Sequence, residues 1–177
     1  MRKTQWSFSL YHIHFINDEL AKQLYYAFVH PHILYGIELY GSTTKCNINR
    51  IQVLQNKMLK ILTKTDFRAS STDLRKKMKI LSVEQLHNMS LALFVYKQQN
   101  NILPHIFEDK FVLNKNARTR STRQDGNIMI KAYKTNFGYN TVQCLGAKLW
   151  NSLTVEMRHS NSFNIFKKTL AEYLLEK

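Results

Sequence analysis

Four cations, Arg50, Lys57, Lys60 and Lys64, fall within one narrow arc when the chain is wound at 100° per residue. Guanidinium and ammonium groups presented this way contact phosphate oxygens, giving affinity without reading a base sequence. A second group, Arg118-Thr-Arg-Ser-Thr-Arg123, places Arg118, Arg120 and Arg123 in a stretch poor in apolar residues, with Lys131 a little beyond. These eight side chains are the candidate nucleic-acid-binding residues. An ordinary solvated helix surface would carry the same lysines, so the first group is read either as lining a groove or as simply facing water.

Other chemistry finds little support. Polymerases and nucleases converge two or more carboxylates on divalent metal, whereas the adjacent acids here are only Asp18-Glu19 and Glu108-Asp109. The first pair suits a helix start and the second a solvated loop. The pairs His12-x-His14 and His30-x-His32 each lack a nearby third ligand, so packing is expected rather than zinc. Cys46 and Cys144 are too far apart in sequence to form a spaced metal or redox pair, and free thiols are expected. No Ser/His/Asp arrangement and no glycine-rich phosphate loop is present, and no catalytic residue, metal or cofactor is expected in this chain.

The net charge of +14 is concentrated. Residues 45–79 hold ten Lys/Arg against Asp66 and Asp73, and residues 110–134 hold seven against Asp125, so these two segments carry the whole excess. Two basic segments point to a polyanionic partner, most often nucleic acid. The longest apolar stretch, 33–40, contains Gly36 and Glu38 and is far short of the roughly 20 residues that span a bilayer. Residues 6–15 alternate polar with apolar, unlike a signal peptide. An intracellular protein, cytoplasmic or nuclear and without a membrane partner, is therefore expected.

The elements that must position the cations read as mainly α. Asn17 with Asp18 and Glu19 predicts a helix start, and Pro31 predicts a kink or restart near His30. A helix over about 48–63, capped by Asn47, shows two sides: Ile48, Ile51, Leu54, Met58, Ile61 and Leu62 toward a core, and the cations apart from them. A short basic helix is expected near 73–79. Ser82-Val-Glu-Gln85 suits a capping box opening a helix to about Asn100 that is apolar nearly all round and hence buried. Residues 108–127 read as a basic loop or linker. Residues 128–133 and 137–144 are compatible with two short antiparallel strands. A helix at 147–153 and an amphipathic terminal helix through Phe163, Phe166, Leu170, Tyr173 and Leu174 follow, with Trp150 as an aromatic anchor.

The run Leu24-Tyr-Tyr-Ala-Phe-Val-His-Pro-His-Ile-Leu-Tyr-Gly-Ile-Glu-Leu-Tyr-Gly41 resembles the segment that follows the polymerase palm in non-LTR, LINE-type and jockey-like retrotransposon reverse transcriptases. Ile51-Gln52 with Leu54-Gln55-Asn56-Lys57 resembles the helix that comes next in that family. Tyr133-Lys-Thr-Asn-Phe-Gly138, Leu149-Trp-Asn-Ser-Leu153 and Phe166-Lys-Lys-x-Leu170 resemble its post-thumb segment, with Ala147 and Thr154 standing where the family often has Pro. The resemblance implies a helical thumb to about residue 100 with the remainder a C-terminal appendage, and RNA or an RNA–DNA duplex as partner; with the reading of the residues this gives a helical thumb-like domain over 1–107, the basic loop or linker at 108–127, and a small α+β C-terminal segment over 128–177 whose pattern is compatible with a short antiparallel β-ribbon plus helices. It also implies that the chain begins after the catalytic palm, so no activity is expected from it alone. Magnesium is implied for the parent RNA-directed DNA polymerase only.

Three functions remain open on this reading: a gripping region of a retrotransposon polymerase, an element-derived protein that binds RNA or DNA by itself, and a helical interaction module. The last would meet a partner such as the palm region through the aromatic-rich stretch Trp6 to Phe15.

Overall fold

The computed structural model describes residues 17–117 and 123–176. Helices follow one another as α1 (Asp18–Leu24), α2 (His30–Leu34), α3 (Ile37–Tyr40), α4 (Lys45–Leu62) and α5 (Ser71–Met78). Then come α6 (Val83–Gln99), α7 (Asn114–Ala117), α8 (Asn136–Tyr139), α9 (Val142–Ser152), α10 (Val155–Arg158) and α11 (Phe163–Glu176). The protein is mainly α-helical. Among the described residues no helix is long and apolar enough to cross a membrane.

The chain separates into two compact units. Among the described residues, one unit comprises 17–35 with Thr43–Val83, and the other Gly36–Ser42 with the chain from Glu84 onward.

In the first unit Asn17 caps α1, its Oδ1 accepting from Leu20 N at 2.8 Å, with Asp18 and Glu19 at the positive end of the helix dipole. Pro31 produces the anticipated restart in a specific way. Residues Tyr25–Val29 form a π-helical stretch, with His30 N donating to Tyr25 O, and α2 begins at His30. A wider turn makes room ahead of a residue that lacks an N–H and crowds the preceding carbonyls. Ala21, Tyr25, Leu59, Leu74, Met78 and Ile80 form the core, flanked by Val29 and Leu62. Helix α4 starts before the anticipated Asn47, with Thr44 at its cap position.

Gly36 opens the second unit in the left-handed region, φ 66°, a conformation that suits glycine and turns the chain into α3. Gly41 lies so close to His87 that a Cβ there would sit 2.3 Å from the imidazole Cδ2. Helix α6 is buried on most sides, as its composition predicts, through Leu86, Leu91, Ala92, Val95 and Tyr96. Tyr96 stacks on Phe166 of α11 at 4.5 Å between ring centroids, and Trp150 of α9 closes the cluster 5.8 Å from Phe166.

The expected β-ribbon is not formed. Thr135 and Thr141 each use a side-chain oxygen to accept an N–H three residues ahead, from Gly138 at 3.3 Å and Cys144 at 3.4 Å, and so start α8 and α9. Local capping overrides the strand preference of the aromatic and β-branched residues there. Ile128 instead makes an isolated antiparallel bridge with Leu113.

Trp150→Ala is expected to lower stability by about 3–5 kcal/mol, because it empties the aromatic cluster; chemical denaturation measures this, and an unchanged midpoint would refute the anchor role. His87 is buried with no hydrogen-bond partner for Nε2, and burial holds its imidazole pKa below the ordinary value, against the opposing pull of Glu38 and Glu84. The unfolded chain therefore binds a proton below about pH 6.5 that the folded chain refuses until lower pH. Stability should be complete above that pH and fall as the pH drops toward the depressed folded value. Melting at pH 7.5 and 5.5, compared with His87→Leu, should show a flatter pH dependence in the variant.

Candidate nucleic-acid interface

The rotation of α4 decides what its cations face, and buried amides set that rotation. Gln55 is almost fully buried; its Nε2 donates to the Tyr25 hydroxyl at 2.7 Å and to the Leu81 carbonyl at 2.9 Å. Gln52 Nε2 donates to Gln55 Oε1 at 2.7 Å, while Gln52 Oε1 accepts from Val83 N at 2.8 Å and so caps the start of α6. Asn56 Oδ1 accepts from Arg75 Nη1 at 2.6 Å. Burial pushes the Tyr25 hydroxyl pKa up to about 12 although the bond to Gln55 works against it, and burial lowers that of Arg75.

This overturns the expected core face of α4. The buried residues are Gln55 and Leu59, Ile48, Ile51 and Leu62 are half-buried, and Leu54, Met58 and Ile61 lie on the exposed side, Leu54 at 60%. The reason is that the hydroxyl of Tyr25, the carbonyl of Leu81 and the N–H of Val83 all require polar partners, and an unsatisfied buried group costs more than a few exposed methylenes recover. Three amides at i, i+3 and i+4 are the sequence signal for this network, outnumbered on the same helix by apolar residues.

The exposed face of α4 consequently carries Arg50 and Lys57 beside Val53, Leu54 and Ile61. Lys60 turns aside, its Nζ donating to the Phe67 carbonyl at 2.7 Å. Lys64 lies beyond the helix end in the left-handed region, φ 53°, and is exposed. The structure thus keeps Arg50 and Lys57 on one helix face and places the other two at the following loop. Lys77, on α5, is held by Asp18 at 2.7 Å.

In the second unit Arg123 and Lys131 are exposed; Arg118 and Arg120 lie outside the described residues, as do His12, His14 and the stretch Trp6 to Phe15. The flanks of the basic segment are tied. Asn114 N donates to Asn127 O at 2.8 Å and its Nδ2 to Gln124 O at 2.9 Å. Asn151 grips Ile128 from both sides, accepting from its N–H at 2.8 Å and donating to its carbonyl at 2.9 Å. Arg158 Nη1 donates to Asn127 Oδ1 at 2.9 Å.

His30 packs against Tyr26 with ring centroids 4.9 Å apart and His32 is exposed; among the described residues no three His, Cys, Asp or Glu come together as a metal site. A cavity of about 420 Å3 in the second unit has apolar walls from Leu39, Phe94, Phe107, Phe111 and Val142, and its carboxylate, Glu38, accepts from Ser90 Oγ.

Set beside known proteins, the chain is similar to RNA-directed DNA polymerases of transposable elements. One is the probable RNA-directed DNA polymerase from transposon BS of Drosophila melanogaster, 36% identical over 64 residues, which are 36% of this chain and 7% of that protein. Another is the RNA-directed DNA polymerase from mobile element jockey of the same organism, 26% identical over 106 residues, 57% of this chain and 11% of that protein. The chain therefore spans about a tenth of the length of these curated relatives. No family model matches it, and no solved structure does.

Gln55→Ala is expected to cost about 1–3 kcal/mol by stranding a buried hydroxyl and a buried carbonyl. A double-mutant cycle with Tyr25→Phe, followed by urea unfolding, should return a favourable coupling energy. Strict additivity would show that the pair does not act together.

Proposed function

We propose that this chain is a gripping region of a retrotransposon-type RNA-directed DNA polymerase, one that holds RNA or an RNA–DNA duplex by its phosphates and carries no chemistry itself. The observation that carries the reading is the exposed face of α4, where Arg50 and Lys57 stand in a segment whose ten Lys/Arg oppose only two Asp. Cations displayed this way neutralise phosphates irrespective of sequence. The similarity to two polymerases whose names describe RNA-directed synthesis supports the same class of partner. Arg118, Arg120, Arg123 and Lys131 offer a rival or additional grip from the second unit. A second reading, a helical interaction module, draws on the apolar residues Val53, Leu54 and Ile61 that accompany the cations.

Binding of an RNA–DNA hybrid, followed by fluorescence anisotropy across a salt series, tests the proposal. For every phosphate that Arg50→Gln/Lys57→Gln leaves unneutralised, the log–log salt slope should flatten by about 0.7–0.9, equally for unrelated sequences. If that variant keeps the wild-type slope while Arg118→Gln/Arg120→Gln/Arg123→Gln flattens it, the α4 assignment is wrong. A wild-type chain that ignores nucleic acid yet associates with protein regardless of salt would favour the second reading.

A further inference from the structure

One stretch of the second unit combines exposed lysines with an exposed aromatic ring. Residues 131–139 read Lys-Ala-Tyr-Lys-Thr-Asn-Phe-Gly-Tyr, and no Asp or Glu occurs between Asp125 and Glu156. Within this acid-free stretch Lys131, Lys134 and Lys148 are all exposed. Phe137 is 84% exposed, and Tyr139 is 38% exposed on the same short helix, α8.

The exposure of Phe137 is not that of a loose tip. Thr135 caps α8, Asn140 N donates to Asn136 O at 3.1 Å, and the Thr141 hydroxyl donates to Gly138 O at 2.8 Å. Gly138 is buried against Tyr133; a Cβ at that position would lie 2.6 Å from the Tyr133 side chain, so glycine lets the ring lie flat on the turn. Tyr133 meets Tyr139 edge to face at 5.9 Å, and Lys148 Nζ stands 4.9 Å from the centre of the Tyr139 ring. The turn around Phe137 is fixed while its own ring is turned to water. An exposed phenyl ring contributes little to folding, and one carried on a hydrogen-bonded turn within an acid-free, lysine-bearing stretch suits a flat, negatively charged ligand.

We propose that the exposed Phe137 ring is a stacking platform for single-stranded nucleic acid, with the exposed Lys131, Lys134 and Lys148 of the same acid-free stretch meeting its phosphates. Unpaired bases expose the faces that aromatic side chains engage, whereas bases in a duplex are already stacked on each other, so this platform selects single strands. The inference rests on the reading that the chain binds nucleic acid, but it concerns a different surface and a different form of ligand from the α4 face.

The test uses the whole chain with two probes: a single-stranded RNA of about 12 nucleotides, mixed in sequence and without self-complementarity, and the RNA–DNA hybrid of the same length. Phe137→Ala should weaken single-strand binding about 5- to 150-fold, the range expected when one base loses its aromatic partner, and leave the hybrid affinity within about twofold. F137W should restore single-strand binding, whereas F137L should not. Circular dichroism melts of all three variants should match the wild type, because the ring is exposed. Unchanged single-strand affinity in Phe137→Ala with hybrid binding intact overturns the platform but not the proposed function. Binding of neither probe by the wild-type chain overturns both. Full activity of F137L overturns stacking in favour of a generic apolar contact, and self-association abolished by Phe137→Ala with RNA binding untouched assigns the ring to a protein interface instead.

Discussion

The buried amide of Gln55 is the constraint on which the first unit turns. A primary amide brings two donors and an acceptor into a core otherwise filled by Ala21, Leu59, Leu74, Met78 and Ile80. It can stay there only because the Tyr25 hydroxyl and the Leu81 carbonyl accept from it and Gln52 donates to it. Tyr25 and Leu81, together with the Val83 N–H from which Gln52 accepts, lie on different parts of the unit outside α4, so they pin α4 in rotation as well as position. Apolar contacts, being non-directional, would have tolerated a helix turned by a fraction of a turn. The directional network does not, and this is what commits Arg50 and Lys57 to solvent.

The same network explains where reading from sequence succeeds and where it stops. Asn17 and the acids after it announce α1 because capping is local. Helices α6 and α11 are legible because Leu86, Leu91 and Val95, and Phe166, Leu170 and Leu174, are buried where their spacing puts them. Helix α4 misleads because its apolar residues outnumber its amides, and periodicity counts residues without knowing which distant carbonyl needs a donor. The supposed β-ribbon fails for the opposite reason. The decisive groups there, Thr135 and Thr141, are near neighbours whose capping hydroxyls are masked in the sequence by strand-forming aromatics. The exposed cations are legible as a charge excess, but their division between a helix face, a loop and a tied segment is not.

In the second unit the residues that resemble polymerase sequences are largely accounted for by packing. Within Leu149-Trp-Asn-Ser-Leu153, Trp150 closes the aromatic cluster, Asn151 grips the backbone of Ile128, and Leu153 is buried. Phe166 and Leu170 are fully buried in α11. Similarity carried by such positions speaks first for a common way of folding. Function must be argued from what the packing leaves outside.

What it leaves outside includes charge, with aromatic rings beside it in the second unit, and the proposed grip makes modest geometric demands on such a surface. Phosphoryl transfer demands carboxylates and metal arranged to within a fraction of an ångström, because the transition state must be met in one geometry. Holding a polyanion asks less. A lysine on a flexible stem reaches phosphate oxygens over a range of positions, and its contribution depends on local ion concentration rather than on a single bond angle. A surface of this kind therefore asks mainly that the scaffold keep its cations from folding back onto nearby acids. Lys77 with Asp18 is the instance where that fails, and the pinned rotation of α4 is what prevents Arg50 and Lys57 from turning toward the core.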